Sequence, residues 1–281
     1  QVNIDGYFPR FSYKGKIYES GVLTCENANQ ELQCQLRANT LLKKGAMFNF
    51  ALLARAKSDS LRTTLFWGNN TNITYSGKVD AISSFSRATD KQPLHTQIDI
   101  QPSTIILNDT TWHVHPSTVT IDKDSIEIKN FLFEHAQQHL KINGRIGKRP
   151  SDSCMVDLRN INLLYVMDMI QFHAVKFQGL ASGKINLHHV MDDPLMQADL
   201  KVNRFSLNDA LLGEAHIIGG WDKEIGGIRL SADIHEKDSL YTRVNGYISP
   251  KMKGLDLNIE AGGTNMAFLQ PFIDGIFSDV R

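Results

Sequence analysis

Histidines are the residues of this sequence that most readily suggest chemistry, because imidazole binds metals and transfers protons. Six of the ten form three groups: His113 with His115, His135 with His139, and His188 with His189 beside Asp192 and Asp193. A zinc site needs three or four ligands about 2.0 to 2.3 Å from the ion. The spacing of these groups does not supply such a set, so the sequence predicts solvent-facing strand or turn residues and no metal site.

Carboxylates and nucleophiles give no stronger signal of catalysis. The pairs Asp122 with Asp124 and Asp192 with Asp193 lie in polar turns, where solvated charge is expected. The sequence contains no GxSxG motif, and no glycine-rich loop follows a strand and opens a helix. We therefore expect no enzymatic activity and no cofactor. The 30 basic and 30 acidic residues cancel, so nothing indicates nucleic-acid binding.

Cysteines and tryptophans leave alternatives open. Cys25 and Cys34 could form a disulfide across a hairpin in an oxidising compartment, or could be two small strand residues. Cys154 is predicted to be a free thiol on the apolar face of its strand. The three tryptophans could be stacking platforms for sugars, although single tryptophans in strands more often serve packing; they are Trp67, Trp112 and Trp221.

Alternating apolar and polar residues predict the elements that would position these side chains. The stretch VTIDKDSIEIKNFLFEHAQQHLKINGRIG, residues 119–147, forms three such runs separated by polar turns. Its apolar parity changes at Asn130, so Phe131 and Phe133 stay on the same side as Ile128 only if one residue is bulged out. Similar runs with glycine-containing turns cover most of the chain, which predicts a mainly-β antiparallel meander.

Two segments break the strand rhythm. Residues 160–175 and 264–280 carry apolar residues at helical spacing and predict short apolar helices. Each follows a strand, and Asn162 and Ile170 align with Asn265 and Ile273 without gaps. This pattern indicates an internal repeat of about one hundred residues, with the second copy truncated.

A sheet of this size with one apolar face must bury that face. It can close into a barrel, pair as a two-sheet sandwich, or curl as an open trough. The chain also begins without methionine and stops just after an apolar segment, so we expect a fragment of a longer protein.

Three segments in this order resemble the TamB family, the AsmA-like translocation and assembly module subunits, in a Bacteroidetes-type form. They are WHVHPSTVTIDKDSIEIKNFLFEHAQQHLKINGRIG, FQGLASGKINLHHVMDDPLMQADLKVNRFSLNDALLGEAHIIGGWD and TNMAFLQPFIDGIF. The resemblance covers approximately residues 100–281. It divides the chain into an N-terminal β-meander segment, 1–110, and a TamB-like segment, 111–281, with a partial repeat at about 156–255 and 256–281.

The resemblance implies a long antiparallel sheet curled into a U-shaped trough, the β-taco, in a periplasmic protein whose inner-membrane anchor lies outside this chain. It implies shielding of phospholipid acyl chains during transport between membranes, or assembly of unfolded outer-membrane β-barrel proteins with a TamA-like barrel partner. The helices would plug or flank the trough and bury Leu164 and Phe272. The residues expected to line the trough are Ile126, Ile128, Phe131, Phe133, Leu140, Ile142, Leu200, Val202, Leu230 and Ile234.

Two alternatives remain at the level of sequence. An outer-membrane β-barrel also has alternating strands of about ten residues, but it needs aromatic girdles at the strand ends, which the scattered phenylalanines do not form. A pair of extracellular β-sandwiches that binds carbohydrate would expose its tryptophans, and substitution of Trp67 or Trp221 would then abolish binding.

Overall fold

The structure is a computed structural model. It describes the chain apart from residues 1–2, 14–15, 29, 42–46, 73, 88, 90–91, 166–175, 192–193, 237–239, 250–253 and 263–281. The described part is nearly all antiparallel β-sheet, which confirms the predicted mainly-β meander. Contacts divide the chain into two compact units, Gln1–Ala136 and Gln137–Arg281. The resemblance begins earlier, near residue 100, and the domain boundary predicted from it at residue 110 stays a prediction.

The N-terminal unit contains eleven described strands. Their bounds are β1 (Asn3–Tyr13), β2 (Lys16–Ala28), β3 (Glu31–Leu41), β4 (Met47–Lys57), β5 (Ser60–Asn69), β6 (Tyr75–Ser86), β7 (His95–Ile100), β8 (Ser103–Leu107), β9 (Thr110–Val114), β10 (Ser117–Asp122) and β11 (Ser125–His135). Strands β1 to β6 pair in sequence order. Strand β6 then pairs with both β7 and β8, and β11 pairs with both β10 and β9.

The C-terminal unit is a simpler meander in which each strand pairs with the next. Its strands are β12 (Gln138–Gly147), β13 (Ser153–Asn162), β14 (Phe177–His188), β15 (Leu195–Leu207), β16 (Ala210–Asp222), β17 (Gly227–Glu236), β18 (Leu240–Ser249) and β19 (Gly254–Gly262). The turn between β15 and β16 is Asn208–Asp209, with φ of 50° and 69°. Both residue types tolerate left-handed backbone, as a two-residue hairpin turn requires.

Four strands contain an interior residue with left-handed backbone. Ser20 in β2, Asn130 in β11, Asn160 in β13 and Arg204 in β15 have φ of 53°, 59°, 51° and 53°. The pairing register shifts by one residue, as at a β-bulge, at the first, third and fourth of these positions. In β11, the register places Ile128 opposite Val119 and Phe133 opposite Val114, and both partners lie on the apolar face of the N-terminal unit. Ile128 and Phe131 therefore share that face, which confirms the predicted bulge near Asn130.

The predicted helices fall mostly outside the described residues. Residues 163–165 are helical, at the start of the segment predicted over 160–175. Leu163 is buried there, whereas Leu164, the residue expected to be buried, is half-buried. Residues 160–162 of that segment still belong to β13, and residues 166–175 and all of 264–280, with Phe272, lie outside the described residues.

Candidate functional site

Four of the histidines lie beside carboxylates. Nδ1 of His95 is 2.8 Å from Asp122, and Nε2 of His115 is 2.7 Å from Glu134. Further along, His139 and His216 contact Asp157 and Asp199 in the same cross-strand manner. Within the residues that the structure describes, no three metal-binding side chains come together. Each of these four histidines is therefore paired with one carboxylate; three lie in strands, and His115 lies between β9 and β10.

The C-terminal unit buries one face of its sheet, which we call the inner face. Directly paired residues of antiparallel strands point to the same side, so the register arranges this face in rows that cross the strands. The first row is Ala181, Val202, Ala215, Ile234 and Thr242; the second is Gly183, Leu200, Ile217, Ala232, Val244 and Ile259; the third is Ile185, Ala198, Gly219, Leu230, Gly246 and Leu257.

Burial falls from the first row to the third. Val202 and Ile234 are 0% and 1% exposed, whereas Leu200 and Leu230 are half-buried. Five apolar residues lie at the end of the unit next to the first row and cover that row. We call them the end cluster: Leu163, Phe177, Phe205, Leu207 and Leu212. The rings of Phe177 and Phe205 stack with centroids 6.2 Å apart. The inner face is thus closed at one end.

A cavity of about 230 Å³, which we call the groove, lies on this face between the end cluster and the residues just beyond the third row, Met196, Ile228 and Ile248. Apolar residues make up its lining, apart from the buried Thr242. Gly219 contributes no side chain to the third row and so leaves space in the groove. Such a cavity has room for a ligand but offers it almost no hydrogen-bonding partner.

The bulges place the end cluster. Apolar residues three apart face the same way across each bulge: Leu158 and Ile161 in β13, and Val202 and Phe205 in β15. The amide of Asn160 donates to Oγ of Ser182 at 2.9 Å, and the amide of Arg204 donates to Glu214 at 3.3 Å. These hydrogen bonds fix the bulged residue of each strand in place. The residues that follow the bulge therefore keep their apolar side chains on the inner face, next to the first row.

All six predicted lining residues of the C-terminal unit lie on the inner face. Leu200, Leu230 and Ile234 line the groove, and Val202 belongs to the buried first row. Leu140 and Ile142 in β12 continue the second and third rows through β13 and are half-buried.

The four predicted residues of the N-terminal unit, Ile126, Ile128, Phe131 and Phe133, are half-buried in β11. The ring of Phe133 stacks on the buried Trp112 with centroids 4.8 Å apart. Trp112 is therefore a packing residue. This is the role that the sequence analysis favoured over that of a stacking platform for sugars.

An open aromatic cleft of about 730 Å³ lies within the N-terminal unit. Tyr18 stacks on Phe11 at 5.0 Å and meets Phe50 edge-to-face at 5.6 Å. Trp67 lies over Gly77, where an added Cβ would overlap its ring. Because Gly77 has no side chain, the indole can lie flat across β6 and form one wall of the cleft.

Asp233 lies on the side of the sheet opposite the inner face, and Asp209 lies in the turn between β15 and β16. Hydrogen bonds from Tyr241 at 2.6 Å and Arg243 at 3.1 Å lower the pKa of Asp233. Hydrogen bonds from Lys176 and Gln178 likewise lower the pKa of Asp209. On the inner side, burial raises the pKa of the Cys154 thiol, which is free and buried as expected.

Cys25 and Cys34 are bonded across β2 and β3, where they are direct register partners. Cys25 is buried, and the pair lies on the apolar side of the N-terminal unit. The sequence allowed either a disulfide or two separate thiols, and the structure contains the disulfide.

The end cluster and the space at Gly219 were not predicted. A usable signal was present, because the spacing Leu158 to Ile161 and Val202 to Phe205 repeats the parity change recognised at Ile128 to Phe131. Gly219 has no such signal, since a glycine in a strand can equally mark a turn or a close backbone approach.

Comparison with known proteins finds no match among family models, curated proteins or solved structures. Among the described residues, no helix has the length and apolar character needed to cross a membrane.

Proposed function

We propose that the protein shields the hydrocarbon part of a lipid, and that the groove of the C-terminal unit holds it. In this proposal the protein works in the periplasm, in a TamB-like role in phospholipid transport, with a TamA-like barrel as partner of the whole protein. The observation that carries the proposal is the apolar groove, which the end cluster closes at one end.

The chemistry of the lining favours an acyl chain over a protein strand. A peptide brings backbone N–H and C=O groups, and each one buried without a partner costs about 1 to 3 kcal/mol. Apart from Thr242, the lining has no side chain that could satisfy them. A methylene chain needs no such partner and gains about 0.8 kcal/mol for each buried CH₂. Assembly of barrel proteins, the other role that the resemblance implies, has no comparable support in the groove.

The Cys25–Cys34 disulfide supports a location outside the reducing cytosol. Disulfides persist in the periplasm and other oxidising compartments and are rare where thiols are kept reduced. This agrees with a periplasmic protein and does not depend on the groove.

A test follows from Gly219. A Cβ there would meet Cβ of Ala198 and Cγ2 of Ile228 at ordinary contact distances of 3.6 Å. Gly219→Val therefore places a side chain in the groove without a backbone clash, and valine suits a strand better than glycine. The matched control is Ser231→Val, which adds the same side chain to the exposed side of β17, opposite Ile218.

The measurement is mass spectrometry of lipids that copurify with the folded protein, with titration of palmitate into delipidated protein. We expect wild type and Ser231→Val to bind palmitate, and Gly219→Val to bind it at least tenfold more weakly at unchanged thermal stability. Wild type that carries no lipid and binds no palmitate would overturn the proposal, as would Gly219→Val that binds like wild type.

A further inference from the structure

The end cluster closes the groove against further insertion of a ligand. Phe205, Leu207 and Leu212 are 6%, 5% and 2% exposed and pack on the first row. At the opposite end, Met196, Ile228 and Ile248 also line the groove but are only half-buried. A chain that enters from this open end meets the buried side chains of the end cluster, which form a wall across the groove.

The wall is held by backbone geometry as well as by packing. The bulges at Asn160 and Arg204 lie in alternate strands at the same end of the unit, and Gly179 of β14 faces the bulge of β15. A Cβ at Gly179 would come within 3.0 Å of the carbonyl oxygen of Asn203, and the φ of Gly179 is 134°. A side chain at Gly179 is therefore excluded, and the backbone of β14 packs directly against the bulge of β15 beside Phe205.

The size of the groove sets a length. An apolar cavity of about 150 Å³ holds benzene, which has six carbons. By simple proportion, the 230 Å³ of this groove holds roughly nine carbons. Carbons beyond that number must lie against the half-buried residues at the open end or in water, where each carbon contributes less to the binding free energy.

We infer that the end cluster is a stop that sets how much of a straight acyl chain the groove can hold, about nine carbons from the methyl end. This inference rests on the proposed function and adds the residues that determine chain-length specificity. The methyl end lies against Leu212 and Phe205, and the polar head group stays outside, beyond Ile228 and Ile248.

The test is a series of straight-chain fatty acids from hexanoate to palmitate, titrated into delipidated protein below the concentrations at which they form micelles. A buried methylene contributes about fourfold in affinity. We expect affinity to rise by about that factor per carbon up to decanoate, and then to flatten from laurate to palmitate.

Two variants change the space in the groove in opposite directions. Leu212→Ala removes three carbons from the stop, so the plateau should shift to chains longer by roughly three carbons. Ala232→Leu adds three carbons to the second row and should shift the plateau by a similar amount to shorter chains. Leu211→Ala is the matched control, because Leu211 is 49% exposed and outside the groove lining. Thermal unfolding establishes that each variant is folded, and either variant alone is sufficient for the comparison.

Each outcome has a distinct meaning. A plateau near ten carbons that shifts in the folded variants and not in Leu211→Ala supports the stop. Affinity that keeps rising by the same factor to palmitate, or a plateau that stays in place in the folded variants, overturns the stop but leaves the proposed function. Failure of every acid in the series to bind overturns both.

Discussion

Reduction of the Cys25–Cys34 bond should destabilise the β2–β3 hairpin by a predictable amount. The bond joins residues separated by 9 positions. For a loop of about ten residues, the chain-entropy relation gives ~2.7 kcal/mol of stabilisation at 25 °C, because the crosslink restricts the unfolded chain. The two cysteines are already register partners, so breaking the bond removes no other cross-strand pair. We therefore expect a loss of about 2 to 3 kcal/mol in local stability.

The assay is amide hydrogen exchange of oxidised and reduced protein, which gives the opening free energy of each strand. The loss should appear in β2 and β3 and fade toward β6. A Cys25→Ala, Cys34→Ala double variant is the control, since reductant should leave its exchange unchanged, and Cys154 is free in every sample. Equal protection in the two redox states, within about 0.5 kcal/mol, would refute the loop-closure reasoning.

Three further predictions concern stability. Ile234→Ala should lower the free energy of unfolding by about 2 to 5 kcal/mol in urea titration, because it empties a fully buried site, whereas Ile218→Ala on the exposed side should change it by about 0.5 kcal/mol or less. Arg204→Gly should leave the free energy of unfolding unchanged or raise it by up to about 1 kcal/mol, because φ is 53° there and glycine tolerates left-handed backbone. Arg204→Val should lower the free energy of unfolding by about 1 to 2 kcal/mol, and equal urea midpoints of the two variants would contradict this reasoning. Because the hydrogen bond from Tyr241 lowers the pKa of Asp233, the carboxylate contributes stability above its unfolded pKa of about 3.9, and this is lost as pH falls through the folded value. Acidification below about pH 4 should therefore cost wild type more stability than Asp233→Asn, measured by urea midpoints across that range.

The fold was predictable where the pattern is strictly alternating. In β17 the apolar residues alternate without interruption from Ile228 to Ile234, so the register places Leu230 and Ile234 on the inner face as their spacing requires. Alternation determines which side of a strand is apolar, because the side-chain period is two. It does not determine how deeply each residue is buried. Burial depends on what covers the face, and here that is the end cluster.

The site was less predictable because its shape comes from departures from alternation. Phe205 and Leu212 close the groove only because the strands are bulged beside them. Gly219 leaves space only because its neighbours in the same row, Ala198 and Leu230, do not fill it. Both effects need three adjacent strands in register, and one strand read alone contains neither.

The repeated bulge explains how a meander can close one end of its apolar face without a second layer. In β11, β13 and β15 two apolar residues stand three apart, and the second residue between them has left-handed backbone: Asn130, Asn160 and Arg204. Asparagine adopts this conformation at low cost, while arginine does so at a cost of about 1 to 2 kcal/mol. The cost at Arg204 persists because the shift carries Phe205 onto the first row, where it is buried. Burial of one phenylalanine gains about 1.5 to 3 kcal/mol, enough to offset the strained residue. A parity change of this kind in a strand therefore predicts a corner of the sheet that covers its own apolar face.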